Sequence, residues 1–333
     1  MDKARAATVF MPAAREALQA FPIEPGAIEL VSLSENVTFR VTDQGDGGAY
    51  VLRLHRPGYH THEALDSERI WTRALADAGV SVPVPVTARD GRDYVSVLVR
   101  ELVEHRRAGM THWTPGELLE DVLARADGTQ PFERWYERLG AVAGAMHVQS
   151  SAWRPPASFQ RHTLDADGLL GEAPFWGRFW EHPKLSPAER ELLLDTRQRL
   201  RGVLDRCGRS PETFGVIHAD LHTSNLLVDG DRLTVIDFDD TAFGWHLYDI
   251  AVALSRGQDR SDFAAIEAAF FRGYRTKRAI SEQARALVPM FLLVRGMAVI
   301  GWLYQRPEIN PGDRLDELKD RVCAQCASFD SPC

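Results

Sequence analysis

The chain has 333 residues, 44% of them apolar and 26% charged, an ordinary soluble composition and enough chain for two lobes around a sizeable core. Its net charge of −8 argues against a general binder of nucleic acid or membrane surface, because neutralising phosphates needs a cationic face. Residues 1–18 hold no uninterrupted apolar core followed by a small-residue cleavage site, so the default expectation is a cytoplasmic protein.

Residues 9–20 read as a short helix ahead of the first strand. Runs at 28–33 and 37–41 are strand-like around Ser34-Glu35-Asn36, and Gly45-Asp46-Gly47-Gly48 turns into a third strand at 50–54. Residues 62–77 place Leu65, Ile70, Trp71, Ala74 and Leu75 at helical intervals. Val82-Pro83-Val84-Pro85-Val86 is extended, and Asp90-Gly91-Arg92-Asp93 turns into a strand at 94–99. Beyond it, Arg100-Glu101-Leu102-Val103 runs into a polar stretch around Arg106 and Arg107, where the β-rich half gives way to a helical one. A first domain of residues 1–102 and a second of 103–333 follow.

The second half predicts helices at 114–125, 132–148 and 186–207. The first opens on Thr114-Pro115-Gly116-Glu117 and the last on Ser186-Pro187-Ala188-Glu189, both with the pattern of a capped helix start. His147 suits a core or capping position better than ligation. The aromatic run Phe175, Trp176, Phe179 and Trp180 is either core or the lining of an acceptor pocket. Later helices are expected from 248 onward and at 261–275, 281–304 and 310–327. The most apolar window, 286–304, is broken by Pro289, Arg295, Gly296 and Gly301, which suits a buried helix rather than a membrane span. Cys323, Cys326 and Cys333 read as free thiols; a thiolate metal site would lack a second cysteine pair or a nearby histidine.

Residues 216–249 carry the chemistry. His218, Asp220, Asn225, Asp237 and Asp239 fall within them, and the apolar runs 226–228 and 233–236 are broken by Asp229-Gly230-Asp231, a hairpin signal. Such a hairpin folds back so that Asp237 lies beside Asn225. A carboxylate on a loop, then an amide and a second carboxylate at a hairpin mouth, suits Mg²⁺ with oxygen ligands.

His218-Ala219-Asp220 through Asn225, followed by Ile236-Asp237-Phe238-Asp239, resembles the kinase-like phosphotransferases, the family of aminoglycoside phosphotransferases, choline kinase, and bacterial homoserine and stress-response kinases. Ala219 stands where that family usually has glycine. The resemblance implies an α+β, bilobal protein-kinase-like fold, with a small β-rich N-lobe and a larger helical C-lobe, and ATP-dependent phosphoryl transfer with Mg²⁺. It implies that Asp220 is the catalytic base and that Asn225 and Asp237 hold the metal, with Asp239 adding a carboxylate for a second ion or a bound water. It places the turn bearing Ser34 and Asn36 over the ATP phosphates, and Arg53 where kinases carry a phosphate-gripping lysine. Glu68, with Glu63 as competitor, would pair with Arg53, and adenine would meet backbone near Glu101 and Val103. His218 would shape the catalytic loop and Asp249 would hydrogen-bond its backbone.

The acceptor is less constrained. Residues 51–60, 176–193 and 236–240 are most similar to the stress-response kinases, which implies a protein serine or threonine. The alternatives are a small hydroxylated acceptor such as homoserine or an aminoglycoside, shielded by residues 175–180 and Trp245, or a nucleotide-binding regulator without transfer activity. The expected partners are ATP and the acceptor, with no nucleic acid and no membrane.

Overall fold

The computed structural model describes residues 3–33, 36–45, 47–307 and 314–330. The chain divides into two units, Met1–Glu117 with Pro155–Gln160 and Leu227–Asp239, and Leu118–Arg154 with Arg161–Leu226 and Asp240–Cys333.

The first unit begins with α1 (Lys3–Leu18), β1 (Pro25–Leu33), β2 (Val37–Asp43) and β3 (Ala49–Leu54). It continues through α2 (His62–Asp77), β4 (Pro85–Val86), β5 (Tyr94–Val99) and β6 (Glu104–His112) to β7 (Glu117–Leu118) at its border. The main sheet runs β1-β2-β3-β6-β4, with β5 also paired to β6. Strict alternation on β2 and β3 turns Val37, Phe39, Val41, Leu52 and Leu54 to one face, where Phe10, Ala13, Ala17 and Phe21 close a core. Thr61 caps α2 by accepting from Ala64 N–H at 3.2 Å.

The expected division after residue 102 comes one strand early. Arg100–Leu102 forms a single 3-10 turn, Val103 adopts the left-handed conformation with φ 51°, and β6 folds back on β5 with Val99 opposite Glu104. The polar look of β6 hid it. Arg106 is buried because its Nε donates to Glu104 at 2.7 Å while its guanidinium lies 4.6 Å from the centre of the Phe10 ring. Gly109 on β6 has no room for a side chain, since a Cβ would sit 2.5 Å from the Tyr94 ring.

The second unit holds α3 (Leu119–Ala124), α4 (Gln130–Ala152), β8 (Thr163–Leu164), α5 (Ala166–Leu170), α6 (Pro187–Arg206) and β9 (Phe214–Ile217). The hairpin β10 (Leu226–Asp229) and β11 (Arg232–Val235) carries the chain back into the first unit, where Val235 N–H donates to Ser81 O at 2.9 Å. The second unit resumes with β12 (Ala242–Trp245), α7 (His246–Ser255), α8 (Phe263–Arg275), α9 (Glu282–Arg285), α10 (Val288–Tyr304) and α11 (Arg314–Ala327). Helices α4 and α8 cross at glycines: a Cβ on Gly140 would lie 1.9 Å from Phe270 O, and one on Gly273 1.7 Å from Glu137 O. Ser186 and Glu189 form a full capping box on α6. The expected cap at Thr114 does not form, because Gly116 sits at φ 135° and α3 starts only at Leu119.

Helix α10 is buried along most of its length in the core of this unit. Trp176, Phe179 and Trp180 are buried as well, and Phe175 stacks on His162 with centroids 3.6 Å apart. Trp245, expected as a shield for an acceptor, is core instead: it is buried between Phe214 and Phe291, and its Nε1 donates to Gly208 O at 2.9 Å. Cys323 and Cys326 lie one turn apart on α11, and burial pushes the Cys326 thiol up to about 11, so it stays a thiol. Among the described residues no group of three or more His, Cys, Asp or Glu is arranged to hold a metal, and Cys333 lies outside them.

Candidate active site

In the first unit, Arg53 stands on the face of β3 opposite the core, and its Nη1 donates to Asp237 Oδ1 at 3.0 Å. Burial alone would lower the affinity of Arg53 for its proton. The Asp237 and Glu68 carboxylates outweigh that and raise it, so the guanidinium is permanently charged. Glu68 is buried on α2 and acts on Arg53 through its charge, but the ion pair is with Asp237 and not with Glu68 as expected. Glu63 is not a rival, since it lies exposed in the first turn of the same helix. Asp237 holds φ 62°, a strained conformation for a residue with a side chain, while its carboxylate stays 41% exposed.

Asp239, two residues on, is committed inward. Its Oδ2 accepts from Asn36 Nδ2 at 3.2 Å, and His55 and His60 approach Oδ1 at 3.6 and 3.8 Å. Burial would raise its pKa, but the histidines hold it well below the usual carboxylate range. Asp239 therefore anchors this cluster through Oδ2, and its Oδ1 makes no hydrogen bond among the described residues. The other end of the Asn36 amide accepts from Arg56 N–H at 2.9 Å, so both ends of this amide are hydrogen-bonded. Ser34 lies outside the described residues. Glu101 and Val103, expected beside adenine, belong to the β5–β6 hairpin turn, so they are not the segment by which the chain leaves the sheet. That segment is 113–116, after β6.

In the second unit, β9 leads into the loop of His218, Ala219 and Asp220. Ala219 takes φ 66°, the conformation that glycine adopts without cost. The fully buried Asp249 holds it there, its Oδ1 accepting from Ala219 N–H at 2.7 Å and its Oδ2 from His218 N–H at 3.0 Å. Asp220 N–H donates to His218 Nδ1 at 3.2 Å, so His218 shapes the same loop. His147, behind the loop, lies 3.4 Å from Asp249 and 3.0 Å from the Tyr274 hydroxyl.

The Asp220 carboxylate is gripped at both oxygens. Arg295 Nη2 donates to Oδ1 at 2.6 Å, Asn225 Nδ2 donates to Oδ2 at 2.8 Å, and His222 Nε2 lies 3.2 Å from Oδ2. Burial would raise the pKa of Asp220, but His222 and Arg295 hold it well below the usual carboxylate range. Asn225 Nδ2 also reaches Asp220 O at 2.9 Å, so its amide nitrogen is spent inside the loop. Sequence reasoning missed His222 and Arg295. Only the position of His222 beside Asp220 signalled the first, and Arg295 stood out merely as a charge in an apolar run.

Within the first unit Asp237 keeps an accessible anionic oxygen, a hard donor of the kind Mg²⁺ takes with phosphate and water.

The sequence profile of the phosphotransferase enzyme family matches residues 27–286. The chain is 24% identical over 310 residues to amicoumacin kinase of Bacillus subtilis (strain 168), covering 89% of this chain and 85% of that protein. It is 28% identical over 269 residues to homoserine kinase of Methylobacillus flagellatus, covering 79% and 74%. The solved structure of a microcompartment-associated aminopropanol kinase superposes with a TM-score of 0.80 at 29% identity, covering 95% of each chain.

Proposed function

The chain belongs to the phosphotransferase enzyme family, and from that premise we propose that it moves the γ-phosphate of ATP to a hydroxyl of a small molecule. The observation that carries the reading is Asp220, held at both oxygens on a loop that Asp249 braces. The amicoumacin, homoserine and aminopropanol kinases that the chain resembles take small acceptors by name. They support the small-molecule alternative over the protein serine or threonine that local sequence suggested, and with it goes the reading of a stress-response kinase.

In this reading the first unit takes the nucleotide and the second prepares the acceptor. Arg53 turns its fork from Asp237 to phosphate oxygens, and Glu68 keeps a countercharge beside it. Backbone at 113–116, rather than at Glu101 or Val103, meets the base. Asp237 and Asn225 are the residues that would hold Mg²⁺, which would supply countercharge for the triphosphate. Asp220 accepts the proton of the acceptor hydroxyl as its oxygen bonds to the γ-phosphorus and ADP departs. Asn225 and His222 keep the carboxylate from swinging, which is the positioning this chemistry needs. A cytoplasmic setting, where ATP is found, agrees with it.

The test is ADP release with Mg²⁺–ATP across hydroxylated amines, hydroxylated amino acids, aminoglycosides and serine-containing proteins. Turnover should appear with a small molecule and not with the proteins. The reverse pattern would restore the protein acceptor.

A further inference from the structure

Arg295 is the one charged side chain in α10, and 12% of it is exposed. A guanidinium kept in such a helix has to be matched by partners. It donates to Asp220 Oδ1 at 2.6 Å, feels the charge of Asp240, and lies 5.8 Å from the centre of the Trp176 ring. Its planar fork carries five N–H donors, more than these neighbours use.

Asp220 Oδ2 is already taken by Asn225 and His222. The oxygen left for an acceptor hydroxyl is Oδ1, the same one that Arg295 holds. An acceptor hydroxyl that takes the remaining lone pair of Oδ1 comes to lie beside the guanidinium in a poorly hydrated place, and a neutral acceptor leaves the other guanidinium donors unmet. An acceptor with its own anion settles both demands. On the proposed reading of Asp220 as the base, we infer that the acceptor bears a carboxylate, and that Arg295 binds this carboxylate while the acceptor hydroxyl meets Asp220. Fork-to-carboxylate pairing is the geometry a guanidinium satisfies best. Arg295 is thus the residue that selects a hydroxylated acid over the corresponding amino alcohol.

Matched pairs test it. L-Homoserine and 3-aminopropan-1-ol differ by the carboxylate alone, as do L-threonine and 1-aminopropan-2-ol. Binding of each to the full chain, with Mg²⁺ and a non-hydrolysable ATP analogue, is measured by titration calorimetry. The acid of at least one pair should bind about tenfold tighter or more than its amino alcohol, as expected where a site is built to bond the missing group. Arg295→Gln should bring that ratio close to one, and Arg295→Lys, which keeps the charge and loses the fork, should keep part of it. Should Arg295→Gln fail to fold, the wild-type ratio and Arg295→Lys decide the matter. Acids that bind no better than their amino alcohols in both pairs, absence of binding by all four included, would overturn the inference. So would an Arg295→Gln protein that keeps the preference. Asp220→Asn separates the two readings: it should lose ADP release and retain the preference for the acid. ADP release that persists in Asp220→Asn would discredit the base while leaving the carboxylate preference to stand or fall by itself.

Discussion

Asp249 accepts the backbone N–H of Ala219 at 2.7 Å and thereby holds a non-glycine residue at φ 66°. The second oxygen of the same carboxylate takes His218 N–H at 3.0 Å, so one buried side chain sets the backbone just ahead of Asp220. Removing it in Asp249→Ala orphans two N–H groups where no water reaches. The fold should lose about 3 kcal/mol, and ADP release should fall with it; urea melts and the release assay measure both. Ala219→Gly should be almost silent. It relieves about 1 kcal/mol of left-handed strain and adds about 0.4–1 kcal/mol of chain entropy to the unfolded state, which leaves the urea midpoint close to wild type.

Asp220→Asn should lower turnover by about 10²–10⁴-fold if Asp220 is the base. The contact with Arg295 adds a second expectation. Neutralising Asp220 leaves a buried guanidinium with Asp240 as its remaining countercharge. Stability should therefore drop by about 2–3 kcal/mol, below the full cost of breaking a buried pair because asparagine still accepts a hydrogen bond. Turnover above roughly a tenth of wild type would remove Asp220 from the role.

Asp237→Ala deletes both the partner of Arg53 and an accessible anionic oxygen. Affinity for Mg²⁺–ATP should fall by at least the about 10–100-fold that even outer-shell changes around a metal cost. Affinity for ATP in the presence of a chelator should change far less. Titration calorimetry with and without Mg²⁺ makes the comparison; undiminished Mg²⁺–ATP binding would count against the assignment.

His147 and His246 stack with ring centroids 4.5 Å apart. Burial lowers the pKa of each, and for His246 the neighbouring His147 deepens the effect, down to about 2. Because the folded values are depressed, the unfolded chain binds more protons once the pH drops below the ordinary value of 6.5. Stability is thus whole above that pH and is lost as it falls, by up to about 1.4 kcal/mol per pH unit for each histidine. Urea midpoints at neutral pH and about one unit below 6.5 should differ accordingly. His246→Asn should remove about half of the difference.

Much of this protein was written in short-range pattern. The spacing from His218 to Asp239 announces the loop, the hairpin and the two carboxylates, because a turn between apolar runs is decided by its own residues. The alternation in β2 and β3 and the helical stripe of α2 likewise follow from period alone, as does the capping box at Ser186. What pattern does not carry is the partner of a charge. Strand β6 was hidden because Arg106 looks like solvent-facing sequence until Phe10 and Glu104 close around it. That strand moved the border of the first unit and displaced Glu101 and Val103 into a hairpin turn.

Local spacing thus marked out the stretch from His218 to Asp239, and its resemblance to the kinase-like phosphotransferases implied the fold class and phosphoryl transfer. The tertiary structure alone decided that Arg53 pairs with Asp237 rather than Glu68, that Asp239 gathers Asn36, His55 and His60 around it, and that Arg295 holds Asp220. The physical reason is distance. A backbone hydrogen bond in a helix or turn joins residues a few positions apart, whereas Arg53 and Asp237 are 184 positions apart and Arg295 and Asp220 are 75. Coulomb energy depends on separation in space, and only the folded chain brings those charges together.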